Sequence, residues 1–201
     1  MSERNIPAEE AHLLKVLSSE RFLKMEGLGN EVPFFIWAYP PDKELDAQKA
    51  MNRVVNQLTT KQGLSVLTID LYDLAMQLLK DRGVLEQVIE IEPDESKPDF
   101  RELLQGMLDP EQHLAPAIGQ RIKAHGDYDI LVLVGIGKVF PFIRSHNVLN
   151  NIQTVAGAKP MLMLFPGEYR QSATLGSALV LFDQLTDDQY YRAKNIQDQE
   201  A

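Results

Sequence analysis

The residues best suited to do chemistry follow the most apolar run of the chain. That run, residues 130–134, ends in the turn Gly135-Ile136-Gly137-Lys138. Glycines after a buried strand let backbone N–H groups approach an anion, so the turn is compatible with phosphate binding. The stricter triphosphate pattern is absent, because one residue instead of four separates the glycines and Val139 replaces the magnesium-binding hydroxyl.

The dinucleotide-binding fingerprint is also incomplete, because it needs a third glycine where Phe140 stands. Two interpretations of the turn therefore stay open. In the first, the glycines only allow the chain to turn. In the second, the strand end carries a degenerate anion-binding site formed by Gly135, Gly137, Lys138 and Arg170.

A dense group of aromatic and polar side chains comes next, in the segment 140–147, Phe-Pro-Phe-Ile-Arg-Ser-His-Asn. Ser145 is a suitable N-cap for the helix that follows. Arg144 and His146 would meet Glu168 if the strand ends converge, as a buried ion pair, a hydrogen-bonded histidine or an acid–base dyad. The sequence favours a structural role, because no nucleophile lies beside them.

Other catalytic and metal-binding patterns are missing from the sequence. The chain has no cysteine, and His12, His113 and His125 fall on different predicted elements without the spacing of a metal motif. The acidic run 90–95 is typical of a solvated surface. We therefore expect no metal, no cofactor and no catalytic residue, and we predict that the chain is not an enzyme.

Apolar runs that favour strands alternate with amphipathic segments that favour helices. Strands are predicted at 34–37, 65–70, 129–134, 160–165 and 178–182, and helices at 7–19, 46–63, 71–80, 100–108, 115–124 and 145–155. The segment 85–91 fits either type, and Pro166-Gly167 is expected to stop the fourth strand. This order predicts an α/β fold, a three-layer sandwich with a mainly parallel sheet and helices on both faces, of a degenerate P-loop or Rossmann-like type.

The carboxyl ends of parallel strands share one edge of a sheet, and that edge carries the functional crevice. The turns after the predicted strands should therefore converge there. We expect four side chains to organise this edge for interaction with a partner rather than for catalysis: Arg144, His146, Glu168 and Tyr169.

Length and composition predict a single folded domain over residues 1–201, because 44% hydrophobic residues suffice for a core. The helix 7–19 and the polar tail 187–201 are expected to be peripheral. A net charge of −9 disfavours direct binding to DNA. Without a signal peptide or a membrane-spanning run, the chain is expected to be cytoplasmic and to have no membrane contact.

Four segments of the chain together resemble the BrxB family of bacteriophage-exclusion (BREX) systems: 22–31, 69–74, 134–146 and 164–169. Two elements within them are specific, namely Gly-x-Gly-x-x-x-Pro-Phe-x-Arg-Ser-His and Phe-Pro-Gly-Glu-Tyr. The resemblance extends over residues 20–185, nearly the whole chain.

This resemblance implies a component of a multi-protein system that methylates host DNA and blocks the replication of unmodified phage. In such systems a methyltransferase, a large ATPase and the alkaline-phosphatase-like PglZ protein carry the identifiable chemistry. With no phosphate loop, the chain is predicted to be a non-catalytic adaptor or scaffold for the PglZ-like or ATPase subunits. The alternative is a nucleotide- or nucleic-acid-binding regulatory subunit that uses Lys138, Arg144, His146 and Arg170.

Overall fold

The computed structural model of the chain describes residues 5–26, 33–172, 176–186 and 193–201. The helices are α1 (Ile6–Leu17), α2 (Glu20–Leu23), α3 (Glu44–Gln62), α4 (Leu71–Asp81), α5 (Leu85–Ile91), α6 (Lys97–Met107), α7 (Ala115–His125), α8 (Ile136–Val139) and α9 (Ser145–Ala156). The strands are β1 (Phe34–Tyr39), β2 (Val66–Asp70), β3 (Ile130–Val134), β4 (Met161–Ser172), β5 (Gly176–Leu181), β6 (Leu185–Thr186) and β7 (Lys194–Asn195).

Five strands form a parallel sheet in the order β2-β3-β4-β1-β7. Tyr39 of β1 lies opposite Pro166 of β4, and Asp70 of β2 lies opposite Val134 of β3. Beyond the sheet, β4 pairs antiparallel with β5, which pairs antiparallel with β6. The predicted α/β fold with a mainly parallel sheet is confirmed.

Each face of the sheet is covered by its own helices, because successive side chains of a strand point to opposite faces. On one face, Phe35, Trp37 and Leu164 are buried together with side chains of α1 and α3. On the other face, Ile36 and Met163 are buried with side chains of α4, α7 and α9. The result is the three-layer sandwich that the sequence predicts.

Local sequence signals explain several of the helix bounds. The Asp70 side chain accepts the N–H of Tyr72 at 2.8 Å and so caps α4. Gly63, at φ 69°, ends α3 in the left-handed conformation. The segment 85–91, which fits either type of element, is the helix α5 with Val88 buried. No helix in the described ranges combines the length and the apolar character needed to cross a bilayer.

The strand β4 continues past Pro166-Gly167, so the prediction that this pair stops the strand is wrong. Gly167 has a φ of 147°, and a Cβ there would overlap the carbonyl oxygen of Val180. The Pro166 carbonyl accepts the N–H of Phe182 at 2.8 Å. The pair therefore transfers β4 from its neighbour β1 to its neighbour β5 instead of ending it.

The described part of the C-terminal tail, residues 193–201, joins the sheet through the two residues of β7, so the prediction of a peripheral tail is wrong there. β7 pairs in parallel with β1, and Ile196 is fully buried. The carbonyl of Ile196 lies 3.2 Å from Nε2 of His12. A hydrophobicity pattern misses such a short strand because its own residues, Lys194 and Asn195, are polar, and the buried apolar residues beside it are only Ala193 and Ile196. Residues 187–192 lie outside the described ranges.

The N-terminal helix is also built into the core rather than peripheral. Its fully buried side chains are Leu13, Val16 and Leu17. Trp37 of β1 donates its indole N–H to Glu9 at 2.8 Å, which ties the helix to the centre of the sheet. Arg53 of α3 adds two hydrogen bonds to Glu10, at 2.9 and 2.6 Å.

Candidate functional site

The carboxyl ends of four parallel strands meet at one edge of the sheet, as the sequence predicts. β1 and β4 reach this edge at Tyr39 and Pro166, and β2 and β3 reach it at Asp70 and Val134. We call this the strand-end edge and include in it the residues that follow each strand and the β5–β6 hairpin. This is the place where open α/β sheets bind their ligands.

One ion pair and close packing fix the turn that follows β3. Gly135, at φ 82°, lies so near Asp70 that a Cβ would be 2.5 Å from Oδ1. Lys138 donates from Nζ to Oδ2 of Asp70 at 3.0 Å, and both side chains are partly exposed. The lysine of the predicted anion site is thus directed at a carboxylate of the chain itself.

The second glycine of the turn also has a packing role. A Cβ on Gly137 would be 2.7 Å from Cγ of Pro166 and 3.1 Å from the ring of Phe182. The Phe182 ring meets Phe140 edge to face, with centroids 6.1 Å apart. Gly137 is therefore explained by the approach of Pro166 and the β5–β6 hairpin, and Gly135 by the approach of Asp70, whether or not an anion binds.

The predicted edge residues on β4 contact other parts of the chain. Glu168 accepts a hydrogen bond from Nε of Arg170 at 2.8 Å, and Nη2 of the same guanidinium lies 2.7 Å from the same carboxylate oxygen. Tyr169 donates its hydroxyl to the carbonyl of Ala193 at 2.9 Å, which joins β4 to the C-terminal segment. Among the described residues Arg144 forms no ion pair, so it does not meet Glu168 as the sequence suggests.

The segment before α9 is held by aromatic and apolar contacts. Phe142 meets Phe100 of α6 edge to face with centroids 6.3 Å apart, and Ile143 is fully buried. Gln105 of α6 donates to the carbonyl of Pro141 at 2.9 Å. These contacts fix the position at which α9 begins.

A cavity of about 470 Å³ opens beside the start of α9. It is lined by Ile136, Phe140, Ile143, Arg144, Ser145, Phe165, Leu179, Leu181, Gln184, Leu185 and Thr186. Its volume is in the range of ligand pockets. We call it the strand-end cavity. In the described ranges no three His, Asp or Glu side chains lie together as they would to hold a metal ion.

Arg144 and Ser145 are the polar groups at the start of α9. Arg144 is the N-cap, with φ −105° and ψ 143°, and Ser145 is the first helical residue, so the prediction that Ser145 is the N-cap is wrong. An arginine side chain has only donors, so Arg144 cannot accept a hydrogen bond from the backbone N–H groups of the first turn. Ser145 is only 8% exposed, Arg144 is exposed, and His146 follows as a partly buried residue of α9.

Tyr39 lies at the end of β1, beside the start of α3. Its hydroxyl donates to Oε2 of Glu44 at 2.5 Å, and Gln48 donates to the other oxygen of Glu44 at 2.6 Å. Burial raises the pKa of Tyr39 far above its ordinary value, and the hydrogen bond and charge of Glu44 raise it further. The phenol is therefore a neutral donor at physiological pH.

Three exposed apolar side chains lie along the strand-end edge. Leu45 is 68% exposed just after β1, Tyr72 is 44% exposed just after β2, and Leu185 is 44% exposed in the hairpin that follows β4. A fourth, Ile89, is 57% exposed on α5. Sequence reasoning did not identify these exposed side chains. An apolar residue in an amphipathic helix, such as Leu45, Tyr72 or Ile89, is ordinarily assigned to the buried face.

Sequence reasoning also missed the wall that β5 and β6 add to the cavity. It predicted only a short strand at 178–182, with no partner. A sequence feature that could have indicated these strands is the Pro166-Gly167 pair. Proline and glycine within an apolar strand mark a bend or a sheet edge as well as the end of a strand.

Comparisons with known proteins agree on one family. The sequence model of the family described as BREX protein BrxB matches residues 67–196. A BREX protein BrxB of Bacillus cereus (strain H3081.97) is 32% identical over 200 residues, which cover 97% of this chain and 99% of that protein. A BREX protein BrxB of Escherichia coli O9:H4 (strain HS) is 28% identical over 177 residues, covering 88% of this chain and 84% of that protein. No solved structure matches the chain significantly.

Proposed function

The chain belongs to the BrxB family of BREX proteins, and from that premise we propose that it is a non-catalytic component of a BREX phage-defence assembly. Its role there is that of an adaptor or scaffold in the cytoplasm. The partners we expect are the PglZ-like protein and the large ATPase, with the methyltransferase as a further member of the assembly.

The observation that carries this proposal is the concentration of exposed apolar side chains at the strand-end edge. Leu45, Tyr72 and Leu185 all lie there. Because β2 and β1 are three strand spacings apart, the edge between them is about 14 Å wide. Single exposed apolar residues are ordinary, whereas several on one edge beside an open cavity favour a surface for a protein partner.

The polar groups of the edge support an adaptor over an enzyme. Asp70 caps α4 and holds Lys138, and Glu168 holds Arg170. A catalytic acid, base or nucleophile has to be held close to a reacting atom, in the protonation state that its step requires. These side chains instead fix the turns of the edge.

The alternative, a nucleotide- or nucleic-acid-binding regulatory subunit, has less support. Two of its proposed cations, Lys138 and Arg170, are engaged by carboxylates of the chain. The turn at Gly135 precedes α8, which is only four residues long and offers little helix dipole to an anion.

Co-purification with each BREX protein tests the adaptor proposal. The triple variant Leu45→Ser, Tyr72→Ser, Leu185→Ser should lose the partner that the native chain retains, because it removes the apolar contacts that carry binding energy. Ile89→Ser, on α5, is the matched control and should retain the partner. Circular dichroism and the Tm establish that both variants are folded.

Two results would contradict the proposal. One is that no BREX protein co-purifies with the native chain at micromolar concentration. The other is that the triple variant binds its partner as tightly as the Ile89→Ser control.

A further inference from the structure

The strand β2 lies at one margin of the parallel sheet and pairs only with β3. The carbonyl of Ser65, just before β2, faces β3 and accepts the N–H of Ile130 at 3.3 Å. Successive residues of a strand direct their backbone groups to opposite sides, so Val66 and Thr68 direct theirs outward, as does the N–H of Asp70. No described residue bonds to the outward groups of Val66 or Thr68, and Thr68 is exposed.

This margin lacks the features by which proteins ordinarily protect the edge of a sheet. Very short strands, prolines, lysines and covering segments prevent an edge from pairing with another chain. β2 has five residues, Val-Leu-Thr-Ile-Asp, without proline or lysine and rich in residues that favour strands. The strand at the opposite margin, β7, has two residues, one of them Lys194. The edge of β2 is therefore suited to pair with a further strand.

A groove of about 390 Å³ lies beside β2, on the face covered by α4 and α7. Its carboxylates, Asp70 and Asp73, lie at the end of β2 and the start of α4. Arg121 and His125 line it from the last turns of α7, and Nε2 of His125 is 3.1 Å from Oγ of Ser65, at the opposite end of β2. Neither Asp73 nor Arg121 forms an ion pair with another described residue.

A second copy of the same edge complements β2 when the two strands run antiparallel. With the pairing centred on Thr68, the two Thr68 residues exchange their N–H and C=O hydrogen bonds and form a cross-strand threonine pair. The carbonyl of Val66 in each copy accepts the N–H of Asp70 from the other. Leu67 of each copy comes beside Ile69 of the other, on the side of the groove.

The charges match in the same arrangement. Because the strands run in opposite directions, the negative end of each groove meets the positive end of the other, and Asp73 of each copy faces Arg121 of the other. The net charge of −9 opposes association, but charges more than about 8 Å apart are largely screened at physiological ionic strength. A basic segment of another protein would complement only the Asp73 end of the groove.

We infer that β2 pairs antiparallel with β2 of a second copy of this chain, which makes a two-fold symmetric dimer with one sheet running through both copies. Association stops at two copies, because the pairing uses the open edge of each. The contact is small, so the Kd of the dimer lies in the micromolar range. Such a dimer goes beyond the proposed adaptor function and does not depend on it.

Sedimentation equilibrium of the full chain tests the dimer directly. The mass should rise from 22.7 kDa towards twice that value as the concentration passes through the micromolar range. Thr68→Pro should weaken the dimer at least about tenfold, because proline has no N–H, and proline is tolerated in an edge strand where the N–H faces outward. Thr68→Val keeps the N–H and the branched side chain, so it is the matched control and should still dimerise. Circular dichroism and the Tm establish that both variants are folded.

A mixing experiment tests the antiparallel arrangement without relying on proline. Asp73→Arg alone and Arg121→Asp alone should each weaken the dimer at least about tenfold, because like charges then face each other at both ends of the contact. An equimolar mixture of the two variants should dimerise about as tightly as the native chain, because opposite charges face each other again at both ends. A defect in folding could not be repaired by mixing.

Three results would overturn the inference. The first is a native chain that stays monomeric up to about 1 mM. The second is Thr68→Pro dimerising as tightly as Thr68→Val, and the third is a mixture of the charge variants that associates no better than each variant alone. If the native chain is monomeric but Thr68→Pro loses a BREX protein that Thr68→Val retains, the edge pairs with a strand of that partner, so the dimer fails and the adaptor function stands.

Discussion

Single residues at the strand-end edge are determined by close approach of backbone and side chain. Gly167 faces the carbonyl of Val180, Gly135 faces Asp70, and Gly137 faces Pro166. Each approach leaves no room for a Cβ, and two of these glycines also have positive φ angles, 82° at Gly135 and 147° at Gly167. Glycine therefore occurs at these three positions because the strand-end edge is packed too closely there for any side chain.

Replacing Gly167 with alanine should destabilise the fold by about 3 kcal/mol or more, because the added methyl group overlaps the Val180 carbonyl and the backbone angle becomes strained. Urea denaturation followed by circular dichroism measures the change. Gly106→Ala in α6 is the control. A Cβ there meets nothing within 4 Å, and alanine favours a helix over glycine by about 1 kcal/mol. A Gly167→Ala protein as stable as the native chain would contradict this account of the edge.

At the scale of elements, the sequence predicts the interior of the sheet well and its margins poorly. Apolar runs such as 130–134 form strands because both of their faces are buried, which makes the pattern unambiguous. β7 has only two residues and takes its place through contacts with β1 and the buried Ile196. Such an element depends on residues far away in the chain, and no local pattern encodes it.

The candidate site was likewise predicted only in part from the sequence. The sequence predicts that Arg144 and Glu168 lie at one edge, because both follow parallel strands. It does not predict that Lys138 pairs with Asp70 or that Glu168 pairs with Arg170. Those choices depend on register and side-chain rotamers, which the order of elements leaves undetermined.

The C-terminal segment should contribute to stability as a strand of the core does. Ile196→Ala removes a fully buried side chain and should lower the free energy of unfolding by about 2–4 kcal/mol. Asp198→Ala, at an exposed position of the same segment, should change it by less than about 0.5 kcal/mol. Urea denaturation of both variants checks the prediction. Equal stabilities would mean that residues 193–201 are peripheral after all.

For the molecule as a whole, two tyrosines on opposite faces of the sheet should make the free energy of unfolding depend on pH in the alkaline range. Tyr39 belongs to the face covered by α1 and α3, and Tyr128 to the face covered by α4, α7 and α9. Burial raises the pKa of both phenols, helped by Glu44 at Tyr39 and by the charge of Asp127 at Tyr128. Tyr128 also donates to the carbonyl of Ala156 at 2.7 Å.

Stability should therefore fall as the pH rises above about 10, the pKa of an unperturbed tyrosine. Below that pH both phenols are protonated in the folded and unfolded chains, so their contribution is fully present. Above it the unfolded chain loses protons that the folded chain keeps, and each tyrosine lowers the free energy of unfolding by up to about 1.4 kcal/mol per pH unit.

Urea denaturation between about pH 8 and about pH 11 measures this slope. Tyr39→Phe should make it shallower, because phenylalanine cannot ionise. A native slope that survives the Tyr39→Phe substitution in full would assign the alkaline effect to other groups.

The single unbroken course of β4 has a mechanical consequence. Its first half is held between β3 and β1, and its second half carries the hairpin that walls the cavity. Gly167 at the junction is clamped by Val180, so the junction has no freedom to act as a hinge. A force applied to the hairpin by a docked molecule is therefore transmitted along β4 to the central strands β3 and β1.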